Sequence, residues 1–149
     1  MRRSVAAAIL SAAVLVACGE AAAPQYTPPP PAAAPLVEIE GSWTFTGGSV
    51  DSAQVEESPD LPITVVFTAT TAGGSAGCNG YTAQMSLSGS TLLLSNFVIT
   101  EIACDDSVAA LAEERFLSGL RRTTAVERVG PELMLSGAGV DLRFRTEGR

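Results

Sequence analysis

The sequence predicts an α+β domain: a curved, barrel-like antiparallel β-sheet with one amphipathic helix packed on it. Three observations carry that expectation. Several short segments alternate apolar and polar residues, the period of a half-buried strand, with Gly or Pro between them. A single stretch, 108–120, instead carries apolar residues at spacings of three and four. No internal repeat recurs at a fixed period, so the segments belong to one sheet with one helix interrupting it.

The elements follow in order. Residues 41–46 alternate around Trp43 and Phe45 and read as a strand, and 47–60, rich in Gly, Ser and acid, as a loop. Residues 62–69 are β-branched and read as a strand. Residues 70–77 read as a Gly-rich turn region. Residues 81–87 place Tyr81, Ala83, Met85 and Leu87 on one face, Gly89-Ser90 mark a turn, and 91–94 start the returning strand. Residues 97–102 form a separate apolar run. Asp105, Asp106 and Ser107 are N-cap candidates, and acids there suit the positive end of a helix. Val108, Leu111, Ala112, Phe116 and Leu120 make the predicted buried stripe, and Arg121 and Arg122 suit the helix end. Residues 125–129, 132–135 and 140–145 read as three closing strands.

Ahead of this domain, expected over 39–146, lies an export signal. Arg2 and Arg3 precede an apolar run from Val5 to Val16 broken only by Ser11. A membrane span takes about 20 apolar residues, so this run has signal-peptide length. It ends in Leu15-Val16-Ala17-Cys18-Gly19, which resembles the lipobox of bacterial lipoproteins. The resemblance implies cleavage of residues 1–17 and acylation of Cys18, whose chains anchor at about 0.8 kcal/mol per buried methylene. In a host with two membranes, Gly19 carries no inner-membrane retention signal, so the expected address is the periplasmic side of the outer membrane. Residues 18–38 read as a Pro/Ala-rich linker that favours extended polyproline II.

Composition narrows the function. All sixteen acids follow Cys18, and removal of Arg2 and Arg3 leaves seven arginines, so the mature net charge is −9. Such a domain repels nucleic-acid phosphates, so nucleic acid is not an expected partner. The chain has no His, which removes Ser-His-Asp and Cys-His catalysis and His-ligated zinc. It has no Lys either, so Ser75 and Thr100 lack an activating base. No enzymatic activity, cofactor or metal is expected.

With Cys18 given to lipid, Cys78 and Cys104 remain. An oxidising compartment favours a disulfide between an even pair. Two buried thiols or a redox pair are the alternatives, although redox pairs are usually spaced Cys-x-x-Cys. Asn79-Gly80 reads as a turn tolerant of left-handed backbone, with a weak ligand-binding candidacy for Asn79. Asp105 and Asp106 read as helix caps rather than a metal or acid-base pair. Glu113 and Glu114 read as solvated helix-face residues. Glu56, Glu57 and Asp60 lack the ligand spacing of an EF-hand calcium loop.

The ordered set Gly77-Cys78-Asn79-Gly80-Tyr81, then Ile99-Thr100-Glu101-Ile102-Ala103-Cys104, then Glu113-Glu114-Arg115-Phe116 and Leu120 resembles the META domain, the HslJ-like family. Trp43, Leu133-Met134-Leu135 and Leu142-Arg143-Phe144 fit its opening and closing strands, so the resemblance spans roughly residues 40–146. It implies a non-enzymatic envelope module associated with stress tolerance. The leading expectation is therefore a monomeric, lipid-anchored envelope domain that engages an unidentified envelope protein. The alternative is a small-molecule or lipid-binding domain with an apolar pocket inside the sheet. That alternative requires an interior not filled by Phe67, Met85, Leu94 and Phe116. A third reading is a protease-inhibitor or chaperone-like accessory that inserts the 73–80 loop into a partner.

Overall fold

The structure is a computed structural model and describes residues 37–146. The signal segment, Cys18 and nearly all of the linker lie outside the described residues. Nine strands and one helix follow one another. They are β1 (Gly41–Val50), β2 (Ala53–Gln54), β3 (Thr64–Phe67), β4 (Thr71–Ser75), β5 (Gly80–Ser88), β6 (Thr91–Ile99), α1 (Ser107–Arg122), β7 (Thr123–Val129), β8 (Glu132–Gly137) and β9 (Val140–Thr146). The sheet is antiparallel throughout and runs β1-β3-β4-β5-β6-β7-β8-β9. Pairing of β1 with β9, from Trp43↔Thr146 to Val50↔Val140, closes those eight strands into a barrel. The short β2 hairpins onto the end of β1 at Ser49 and Val50.

The expected class holds, and three boundaries move. Residues 47–50 belong to β1 rather than to a loop. A register shift between Phe45 and Gly47 bends the strand, and the ladder to β9 resumes beyond it. The predicted turn region 70–77 is largely β4. A side chain at Gly74 would collide with the Thr64 carbonyl oxygen of the neighbouring strand, so the glycine permits close strand approach instead of marking a turn. The run at 91–94 and the first part of the run at 97–102 are one strand, β6, which bends at Asn96, with φ 52°, and ends at Ile99. The missed strands share a cause: their Gly and Ser residues carry too little apolar surface for a period-two signal.

Alternation sends Trp43, Phe45, Val65, Phe67, Tyr81, Ala83, Leu92, Leu94, Leu133, Leu135, Leu142 and Phe144 inward. Phe116 of α1, fully buried, reaches in among them. Its ring meets Phe45 at 6.1 Å, Tyr81 at 5.7 Å and Phe144 at 6.2 Å, each edge-on. Edge-to-face contact suits the ring quadrupoles and adds to the burial energy. The helix crosses one end of the barrel. Its first turns lie by the β4–β5 corner, where Gly77 faces the Ala109 carbonyl, and Gly119 in its last turns packs against Val50, Val140 and Leu142. The buried face is Ala109, Ala112, Phe116, Leu117, Gly119 and Leu120. Val108 and Leu111, assigned to the stripe from spacing, stay 47 % and 44 % exposed, because the contact face is rotated toward Ala109 and Leu117.

The opposite end is plugged by the lead-in segment. Ile39 is buried, and its carbonyl accepts the Trp43 indole N–H at 2.8 Å. The Arg128 guanidinium stacks 5.2 Å above the Trp43 ring and donates to the Glu38 carbonyl at 2.7 Å.

Candidate functional site

The motif residues around Cys78 and Cys104 converge where α1 begins. The two cysteines form a disulfide with their Cα atoms 5.7 Å apart, the pairing expected from the sequence. It joins the β4–β5 corner to the segment between β6 and α1. Asn79, adjacent and buried, repeats the join without covalent chemistry. Its Oδ1 accepts from the Ile102 amide at 2.7 Å and the Thr100 hydroxyl at 2.8 Å. Its Nδ2 donates to the Ile102 carbonyl at 3.2 Å and to Glu113 Oε1 at 2.8 Å. Its backbone amide donates to Glu113 Oε2 at 2.6 Å. Two donors and two acceptor positions are all that an amide side chain has, and all are spent within the chain.

Two expectations change here. Asn79 and Gly80 do not take left-handed backbone; Gly77 does, with φ 115°. Glu113 is not a solvated helix-face residue but the acceptor that ties α1 to Asn79. Nothing local in the sequence separates Glu113 from Glu114, since the difference lies in which flank of α1 meets the corner.

Asp106 is the N-cap. Its Oδ1 accepts from the Val108 and Ala109 amides at 2.9 and 3.1 Å, and its Oδ2 accepts the Ser58 hydroxyl at 2.7 Å. The Ser58 bond, with the two amides, holds its carboxyl below the usual range. Ser58 is buried and was no candidate from sequence; through it the 55–62 segment is fastened to the helix start. Glu57 in the same segment accepts the Ile63 amide at 2.8 Å, and burial raises its carboxyl above the ordinary value. Burial likewise pushes the Tyr81 phenol far up, and its hydroxyl donates to the Thr64 carbonyl at 3.0 Å. Ser75 bonds to the Gly77 backbone, and Thr100 donates to Asn79 while accepting the Gly80 amide. Among the described residues, no group of three or more His, Cys, Asp or Glu side chains is placed to hold a metal ion.

The arrangement therefore fastens: even the Ser58–Asp106 hydroxyl–carboxylate pair is buried at Ser58 and spent on the helix cap. Two further readings meet obstacles. Phe67, Met85, Leu94 and Phe116 all fill the barrel interior, where the pocket of the ligand-binding alternative would lie. The 73–80 segment is held by β4–β5 pairing, the disulfide and Asn79, so it is not a free inhibitory loop. On the outer wall, a shallow open groove of about 430 Å³ runs over β7–β9, bordered by Glu127, Val129, Met134 and Arg143.

A family model described as the META domain matches residues 35–148. An NMR structure of a protein from Burkholderia xenovorans is similar at a TM-score of 0.61 and 20 % identity, covering 83 % of this chain and all of that one. A second NMR structure is similar at a TM-score of 0.53 and 20 % identity, covering 68 % of this chain and 86 % of that one. At that identity these likenesses establish the fold alone. Among curated proteins, none matches the chain.

Proposed function

We propose, for a chain that belongs to the META domain family, the role of a lipid-anchored, non-catalytic envelope module that works through its outer surface. The observation that carries the reading is the commitment of the central motif groups to the fold itself. Asn79, Glu113, Thr100 and the cysteines bond one another, and the barrel interior is filled, so the outer wall is what remains to offer a partner. The lipobox-like Leu15–Cys18 segment supports the anchor, and the Pro-rich stretch supports a stiff spacer between bilayer and domain. The absence of His and Lys supports a role without acid-base or nucleophilic chemistry. The reading places the domain on the non-cytoplasmic face of a membrane, tolerating envelope stress with a protein partner.

Mass spectrometry of the full chain from native membranes tests the anchor. The expected product begins at Cys18 with diacylglycerol on its sulfur and has Cys78 joined to Cys104. A product that retains Met1 with three free thiols contradicts it. Crosslinking followed by pull-down tests the partner, and recovery of only detergent-level background counts against one.

A further inference from the structure

From Leu61 to Thr100, forty consecutive residues carry no charged side chain, although the chain holds 25 charges in all. The fold gathers that run into one half of the barrel, β3 to β6. Register aligns Val66, Gly73, Thr82 and Val98 in a row across the four strands. All four face outward, with Val66 43 % and Val98 68 % exposed. The parallel row through Ser86 ends on Leu93, 60 % exposed. The other half of the wall contrasts sharply: β7, β8 and β9 point Glu127, Glu132, Asp141, Arg143 and Arg145 outward.

We propose that the charge-free wall of β3–β6 is a self-association surface whose occupant is the same wall of a second copy of this chain. Loss of charge is the compositional mark of an interface core. Two copies of an acidic protein repel over most orientations, and this wall lets them meet without opposing like charges. Hydroxyls and amides both donate and accept, so the wall is complementary to itself about a two-fold axis. Other occupants lack the groups they need. A sugar ring needs an aromatic platform, and a bilayer surface needs Trp, Tyr, Lys or Arg, none of which faces outward on these strands. At about 4.8 Å between strands and about 3.4 Å per residue, the four strands, of four, five, nine and nine residues, outline roughly 440 Å². That is about half of the ~800 Å² per partner of a standard interface and falls in the range of weak, transient contacts. The association is therefore weak, leaving the expected monomer in dilute solution and pairing copies where they are crowded. It stands apart from the lipid anchor, since the wall is the same with or without acylation.

Cysteine crosslinking of the full chain in its native membranes tests this. Thr82→Cys lies on the wall, and Ser118→Cys on the exposed face of α1 serves as the control. Under a mild oxidant, Thr82→Cys should give disulfide-linked dimer at tenfold or more the yield of Ser118→Cys. Adding Val98→Glu, a change at an exposed position that leaves the core intact, should return the yield to the control level. Equal yields at the two positions, or a Thr82→Cys yield indifferent to Val98→Glu, overturn the proposal. So does retention on phosphatidylcholine vesicles or insoluble peptidoglycan that Val98→Glu abolishes while no dimer forms.

Discussion

The barrel has two seams, and they are closed by different physics. Between β1 and β9 a continuous ladder runs from Trp43↔Thr146 to Val50↔Val140. Between β6 and β7 the ladder is a single pair, Thr91↔Ala125, with one further bond from the Val126 amide to the Ser90 carbonyl. There α1, the connection between those two strands, takes over. Arg121 of the helix stacks 5.2 Å above the Phe97 ring of β6, whereas Phe116 packs inside the barrel against Phe45, Tyr81 and Phe144 of β1, β5 and β9. One seam is held by a continuous backbone ladder, and the other by a single ladder pair, one further backbone bond and a helix side chain stacked on β6. The polar fasteners around the helix start therefore act as part of barrel closure.

The largest break in that comparison is Phe116→Ala. It removes the ring shared by β1, β5 and β9 and should cost about 3–5 kcal/mol in denaturant unfolding. Joint replacement of Cys78 and Cys104 by Ser comes next. The loop they close has a sequence separation of 26, for which chain entropy gives about 3–4 kcal/mol. Asn79→Ala should cost about 1–3 kcal/mol, because Glu113 Oε1 and the Ile102 amide lose their side-chain partner in a half-buried site while the backbone bond to Glu113 Oε2 stays. If the disulfide alone fastened the corner, Asn79→Ala would be neutral while the disulfide is intact. Gly119→Ala sharpens the picture from the other end of α1. Its new Cβ would lie 2.6 Å from Val50 Cγ2, a stiff neighbour, so a loss of about 1–3 kcal/mol is expected.

The smallest expected effect is in pH. Asp106 has a carboxyl lowered in the fold, so its contribution is fully present above the unfolded value near 3.8 and fades as pH falls through the folded one. Glu57 has the opposite sign. Burial raises it, so its neutral form favours the fold below the unfolded value, and that advantage is lost as pH rises through the folded one. Asp106→Asn should flatten the acid limb of the thermal-midpoint profile, and Glu57→Gln should raise the midpoint at neutral pH.

Much of this was legible in sequence, unevenly so. β5 was plain because Tyr81, Ala83 and Met85 alternate against polar neighbours on a half-buried strand. The helix start was plain because Asp106 is a capping residue in sequence as in space. β4 was hidden, because Thr71–Ser75 carries two glycines and a single buried alanine, Ala72. The cysteine pairing followed from parity and an expected oxidising compartment, but the Asn79–Glu113 join did not. Those residues are 34 apart, and neither flank of a helix is marked in advance as the one that meets a corner. The charge-free stretch needed no structure to be seen, only the fold to show that it covers one wall.

Native-state hydrogen exchange on Arg121→Ala, which removes the helix side chain stacked on Phe97 of β6, tests the two-seam account most directly. The Val126 amide at the β6–β7 seam should lose about threefold of its protection, the worth of one exposed cation–π contact, while amides of the β1–β9 ladder between Phe45 and Val50 keep theirs. An equal loss at both seams would contradict the account, because the helix would then be only one more contributor to a uniformly closed barrel.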